Sequence, residues 1–221
     1  MLDVNVIIFI DSPIVKTFLF ESSKYWASEG FPVHYISNYK QQDLPPIIQG
    51  TKSEAHTYAQ FMQITFLTIP QSNDFIDYMI NLQKSANLPK VIVVEDITSY
   101  NENSTETDYL LMCSLLKNTI HICSQTHNST SFLIISSKFK PEKLNVLNLI
   151  FKPIRIWRSY ESNDNNKVKN YILREISLNP ICNTRKQLQF SLLKNEGNNI
   201  LRLSSIKHLF EEDCNFNNVV L

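Results

Sequence analysis

Three groups of side chains in this 221-residue chain stand where they could do chemistry. The first is Lys16-Thr17, closing the stretch "IDSPIVKT" (residues 10–17) between an apolar run and what reads as a helix. A lysine and a hydroxyl residue at that place end the phosphate-binding pattern G-x-x-x-x-G-K-[ST]. In that pattern the glycines let backbone N–H groups turn around the phosphates, the lysine supplies charge and the hydroxyl holds magnesium. Here the two glycine positions hold Ile10 and Val15, and β-branched residues suit that open, left-handed-prone backbone poorly. A solvated lysine at an ordinary helix start is the competing reading.

The second group is Glu95-Asp96, which ends the apolar run "VIVVED" (91–96). An acid at the end of an interior strand can hold a magnesium-bound water or act on an attacking water. Many sheets also end a central strand on a carboxylate that merely caps the next turn. The third group is "SSKFKPEK" (136–143), with Lys138, Phe139, Lys140 and Lys143, followed by Lys152, Arg155 and Arg158. Cations beside an exposed aromatic suit single-stranded DNA, through phosphate neutralisation and base stacking; otherwise such lysines are only solvated.

Other chemistries have less support. Only three glycines occur, Gly30, Gly50 and Gly197, which leaves no glycine-rich nucleotide loop. His34, His56, His121, His127 and His208 have no carboxylate or cysteine at ligand spacing, so no metal is expected. Cys113, Cys123, Cys182 and Cys214 form no C-x-x-C pair and read as reduced, intracellular thiols. No G-x-S-x-G elbow is present. Trp26 and Trp157 read as core or interface anchors, while Tyr35, Tyr39 and the Pro45-Pro46 loop offer a protein-binding surface.

The elements that must position these groups follow from periodicity. Residues 4–11 read as a strand covered on both faces; Val15, Phe18, Leu19, Ser22, Tyr25 and Trp26 then repeat at helical spacing, with Gly30 as a left-handed cap. "PVHYIS" (32–37) is a second strand, a loop runs on to Gly50, and a short helix is expected near 52–60. "FMQITFLTIP" (61–70) is a third strand, followed by a helix striped with Phe75, Ile76, Met79 and Ile80. "KVIVVEDI" (90–97) belongs at the centre of a sheet. An acidic loop (95–108), a helix from about Tyr109 to Cys123, the strand "SFLIISS" (131–137), a basic loop and a short helix follow. From residue 154 the pattern changes to "IRIWRSY", "KNYILREIS", "QLQFSLL" and "NILRLSS", the last two joined by the turn sequence "KNEGNN". Alternation followed by hairpins predicts an α/β fold whose mostly parallel sheet is extended by antiparallel strands.

In the order of these motifs the chain resembles a RecA-like recombinase core, over roughly residues 4–205. Within that group it resembles the small ATPase-like paralogue that partners the SWIM-domain zinc protein of the animal Shu complex. "IDSPIVKT" stands in place of the Walker-A loop, Glu95 aligns with the Walker-B acid, and "SSKFKPEK" takes the place of a DNA-contacting loop. The resemblance implies a single RecA-like domain over 1–209, with 154–206 as a β-hairpin extension and 210–221 as a poorly ordered tail. It also implies a heterodimer with a SWIM-domain protein or recombinase paralogue, support of a recombinase filament in homologous recombination, and a nuclear location, with cytoplasmic as runner-up.

Lys16, Thr17, Glu95 and Asp96 are then the remnant of a nucleotide site. The missing glycines favour an adaptor over an ATPase, so ATP and magnesium are not expected as required cofactors. Two other readings stay open: a RecA-fold scaffold subunit such as those of the Elongator tRNA-modification complex, and a small NTPase with a divergent loop. Lysine plus arginine equals aspartate plus glutamate, 21 each, so any nucleic-acid contact must come from a local patch. The N-terminus lacks a basic leader, and no apolar run is long enough for a membrane span.

Overall fold

The computed structural model describes residues 4–10, 14–40, 47–49, 61–101, 105–138, 147, 149–151, 154–162, 169–176, 184–195 and 198–210. In order these form β1 (Val4–Ile10), α1 (Val15–Ser28), β2 (Val33–Ser37), β3 (Ile47–Gln49), β4 (Ile64–Thr68), α2 (Ser72–Leu82) and β5 (Val91–Val94). A 3₁₀ turn (Ile97–Asn101), α3 (Glu106–Thr126), β6 (Ser131–Ser137), β7 (Ile154–Ser162), β8 (Lys169–Ile176), β9 (Thr184–Asn195) and β10 (Asn198–Phe210) follow. Gly30 takes φ +81° just past α1, the left-handed role expected of it.

All ten strands join one sheet in the order β3-β10-β9-β8-β7-β1-β6-β5-β2-β4. From β7 to β4 every pairing is parallel; β7 to β10 pair antiparallel. Alternation along each strand divides the core. Val6, Ile8, Ile10, Ile92, Val94, Leu133 and Ile135 pack with Phe75 and Met79 of α2 and with Met112, Leu116 and Ile120 of α3. Phe9, Val33, Tyr35, Val91, Val93 and Ile134 pack on the other face with Val15, Leu19 and Ala27 of α1. A connection from β1 to β2 runs in the opposite direction across the sheet from those leading to β5 and β6. Crossovers of one hand must therefore put α1 on one face and α2 and α3 on the other.

Three local expectations change. Ile47–Gln49, read as loop, is a short strand parallel to β10; three residues are too few to show a period, and β10 supplies the partner. α3 starts at Glu106 rather than Tyr109, because Thr105 and Asp108 form a capping box: Thr105 Oγ1 accepts the Asp108 N–H at 3.2 Å and Asp108 Oδ2 accepts the Thr105 N–H at 3.0 Å. The buried stripe of α1 is rotated: Tyr25 is 47% exposed, whereas Phe20, Glu21, Ser23 and Lys24 are buried. The helices expected at 52–60 and after Pro141, and the tail after Phe210, fall wholly or largely outside the described residues.

The rotation of α1 places a charged pair in the interior. Lys24 Nζ lies 2.6 Å from Glu21 Oε1, with both side chains under a tenth exposed, and the ammonium lies 5.5 Å from the Phe20 ring centroid. Phe20 in turn stacks on Phe66 of β4, at 6.2 Å. Desolvating two charges consumes most of what their attraction returns, so the pair is sensitive to loss of one member and tolerant of joint replacement. Glu21→Ala is expected to cost about 3–5 kcal/mol, and the double change Glu21→Met with Lys24→Leu close to nothing. Urea denaturation of the two variants beside the parent chain measures both.

Candidate functional site

In an open parallel sheet, ligands bind beyond the carboxyl ends of the strands, where the chain's connections diverge to either side. That place lies at the ends of β1 and β6. Around it, Val15 and Lys16 of α1, Tyr39 after β2, Glu95 and Asp96 after β5, and Ser136 to Lys138 at the end of β6 line a cleft of about 320 Å³. Of the residues expected from sequence, Lys16, Glu95 and Asp96 are thus brought together by α1 and β5 with β6 between β1 and β5, whereas Thr17, next to Lys16 on α1, is buried and does not line the cleft.

Glu95 is the centre of the cleft. Its backbone N–H donates to Ile36 O at 2.8 Å, which extends the β2–β5 pairing by one residue and fixes the side chain's direction. Tyr35 Oη donates to Glu95 Oε2 at 2.8 Å, and Tyr39 Oη donates to Glu95 Oε1. Lys16 Nζ lies 3.8 Å from Glu95 Oε1, donates to Tyr39 Oη at 3.4 Å and sits 4.9 Å from the Tyr39 ring centroid. Burial, the hydrogen bond to Glu95 and the charges of Glu95 and Asp96 push the Tyr39 hydroxyl well above the ordinary phenol pKa. It therefore remains a donor at any physiological pH. Both carboxylate oxygens of Glu95 accept from tyrosines, and the lysine is engaged with the same two groups.

Asp96 turns the chain sharply. Its φ of +50° is left-handed, a conformation that aspartate tolerates better than most residues because local hydrogen bonds support it. Here its N–H donates to Ser136 Oγ at 2.8 Å and its carboxylate accepts from Thr98 Oγ1, while Lys138 Nζ lies 3.2 Å from Asp96 Oδ2. Thr98 Oγ1 also accepts the Lys138 N–H at 3.2 Å, so the ends of β5 and β6 are tied to each other. A non-glycine residue held at positive φ by specific partners marks sites more often than ordinary loops.

Among the described residues, no side chain caps the start of α1. Ile14 at the N-cap position has no side-chain oxygen to accept a first-turn N–H, and the first turn carries no acid. Thr17 Oγ1 is buried and has no hydrogen-bond partner among the described residues. An uncapped helix start, a lysine and an unsatisfied hydroxyl are groups that can meet a phosphate and its metal. The two glycine positions are occupied by buried side chains: Ile10 ends β1 and Val15 opens α1 in helical conformation.

Of the loop expected to touch DNA, Lys138 is described and is 69% exposed beside Asp96; Phe139, Lys140 and Lys143 lie outside the described residues. Tyr35, expected at a protein-binding surface, is instead buried at 1% exposure, because it alternates onto the α1 face of β2. Tyr39 is exposed at 43%. The two tyrosines as partners of Glu95, and Ser136 and Thr98 as partners of Asp96, were not identified from sequence. The visible signal was a Tyr-x-x-x-Tyr spacing at the end of β2, the strand beside β5.

No family model matches the chain, and no curated protein matches it. Its fold is similar to that of the flagellar accessory protein FlaH from Methanocaldococcus jannaschii (TM-score 0.56, 9% identity, 91% of this chain and 89% of that one). It is also similar to the RadB recombinase (TM-score 0.53, 13% identity, 88% and 90%). A third similar structure is a KaiC-like protein from Pyrococcus horikoshii (TM-score 0.50, 14% identity, 89% of each chain). The chain has a RecA-like fold: a mostly parallel central sheet, extended by antiparallel strands in its C-terminal part.

The tyrosine shell around Glu95 makes a quantitative expectation. Tyr35→Phe leaves a buried carboxylate oxygen without its donor and is expected to cost about 1–3 kcal/mol. Tyr39→Phe, at a position open to water, should cost less. Denaturant titration of the two variants orders them; equal losses would mean that burial does not govern this shell.

Proposed function

We propose that this chain is a non-catalytic or weakly catalytic RecA-fold subunit that acts through protein–protein contact in homologous recombination. In this reading it pairs, in the nucleus, with a SWIM-domain zinc protein or a recombinase paralogue, as in a Shu complex. It supports the recombinase filament, and the loop from Lys138 to Lys143 touches single-stranded DNA. The fold similarity to the RadB recombinase and the order of motifs support recombination. The observation that carries the non-catalytic part is the closure of Glu95: Tyr35, Tyr39 and Lys16 occupy the acid that a hydrolysing site keeps for water.

ATP with magnesium is the group that such a fold implies. The uncapped start of α1 and the Thr17 hydroxyl fit a phosphate and its metal. Lys16 and Glu95 do not fit: each would have to leave the other, and Tyr39, before it could serve a nucleotide. Ile10 and Val15 add side chains where a phosphate loop has none. No hydrolytic step is derived through these residues. The open helix start and Thr17 favour, as a second reading, a small NTPase whose tyrosine shell parts on binding.

The two readings separate in a melting experiment. Millimolar ATP with magnesium should leave the melting temperature unchanged; a saturable rise that Lys16→Ala abolishes would establish the NTPase instead. For the adaptor role, purification of the tagged chain from native extract should yield a SWIM-domain or recombinase-paralogue protein in stoichiometric amount, and that partner should raise the melting temperature. A ring of scaffold subunits bound to tRNA would overturn it.

A further inference from the structure

The antiparallel half of the sheet has two unlike faces. On one, Tyr171, Leu173, Phe190 and Leu201 join the apolar cluster under α1, and Phe18 of α1 meets Phe190 edge-on at 5.0 Å. On the other, the apolar cluster beneath α2 and α3 reaches Ile156 of β7 and, among the described residues, includes none of β8, β9 or β10. Strand register sets what stands there instead. Arg158 of β7 is directly opposite Arg174 of β8, Arg174 is opposite Gln187 of β9, and Arg202 of β10 is opposite Ser191 of β9.

The glutamates of these strands fall on one face, which Arg155, exposed and in register with Ile7, shares with them. Arg158, Arg174 and Arg202 share the face turned away from the α1 cluster, with Tyr160, Asn170, Ile172 and the buried Gln187 among them. The glutamates of β7 and β8, Glu161 and Glu175, alternate onto the opposite face, opposite Tyr171 and Trp157 respectively. Like charges directly opposite across two strands destabilise a sheet, and a chain of zero net charge has no compositional need for them. Their geometry is prepared for a ligand: the Arg174 guanidinium is held by Gln187 Oε1 at 3.0 and 3.3 Å, and that of Arg158 lies 5.3 Å from the exposed Tyr160 ring centroid.

We infer that this face of β7–β10 is a binding surface for single-stranded DNA, with Arg158, Arg174 and Arg202 on phosphates and Tyr160 under a base. Guanidinium groups on three of four adjacent strands match a polyanion that crosses the strands, amides and hydroxyls donate to phosphate and sugar oxygens, and an aromatic face stacks any base. The surface uses residues other than those of the Lys138 loop and stands on strand register. The choice of DNA over RNA rests on the recombination reading above.

Fluorescence anisotropy of a labelled oligo-dT with the full chain tests it. Replacing Arg158, Arg174 and Arg202 together by Gln should weaken binding roughly tenfold or more at low salt. It should also lower the slope of log K against log salt by about two, since each single-strand phosphate contact contributes about 0.7. The melting temperature of the same variant separates loss of fold from loss of binding. Should the triple variant not fold, the exposed Arg202→Gln alone must still lower the slope by about 0.7, and Tyr160→Ala must weaken binding without changing it.

Unchanged affinity and slope in these variants, with loss on replacing Lys138, Lys140 and Lys143, would overturn this surface and leave the loop contact standing. The reverse pattern supports the surface and removes the loop. Absence of oligo-dT binding at low salt would overturn both. Tighter binding of oligo-rU through the same arginines would overturn the assignment to DNA, and equal competition by an acidic peptide of the same charge would overturn a nucleic-acid ligand in favour of an acidic protein.

Discussion

β1 is paired along its length with β6 and, from Val6 to Ile10, with β7, and both pairings are parallel. This joint holds the two halves of the molecule in one sheet. A parallel strand must be covered on both faces, which is why residues 4–10 are apolar at nearly every position and why α1 and α3 lie on opposite sides of it. Because β1 also delivers the chain into α1 beside the ends of β5 and β6, the same joint that carries the hairpins fixes where the cleft opens. A change that loosened β1 would therefore disturb the candidate site and the antiparallel extension together.

Within the cleft, charge is balanced internally. Lys16 faces Glu95, Lys138 faces Asp96, and two tyrosines complete the Glu95 shell. A site built for a nucleotide leaves its cation and acid incompletely satisfied until the ligand arrives, because catalysis depends on groups that are oriented and available. Here the groups are oriented, and their partners are already other side chains. Together they tie β2, β5, β6 and α1 to one another at the ends of the strands.

Much of the architecture was legible because its signals are local. "VIVV" between Lys90 and Glu95 has no polar position, and all four residues are buried between β6 and β2; the hairpin strands alternate, and Gly30 ends α1. Lys16 and Glu95 could be paired by order of motifs, since a strand end and a helix start at the same sheet edge must meet. The illegible parts are those set by distant partners. β3 is a strand only because β10 runs alongside it, the positive φ of Asp96 depends on Ser136 forty residues later, and Glu21 and Lys24 look like solvent-facing residues until α1 is packed. Tyr35 was read as surface for the same reason: a polar tip on a large ring does not reveal that Glu95 awaits it inside.

The pairing of β3 with β10 joins residues 47–49 to residues 200–202. Closing a loop of about 150 residues is an entropic cost met only once the intervening strands have formed, and such distant pairings are slow. During synthesis, the first of these segments leaves the ribosome long before its partner exists. For that interval Ile48, buried at 6% exposure in the finished sheet, has no strand beside it, and the α1 face nearby is uncovered by β9 and β10. The order of manufacture thus makes the nascent chain, more than the finished one, the form with exposed apolar surface and the greatest need of a chaperone.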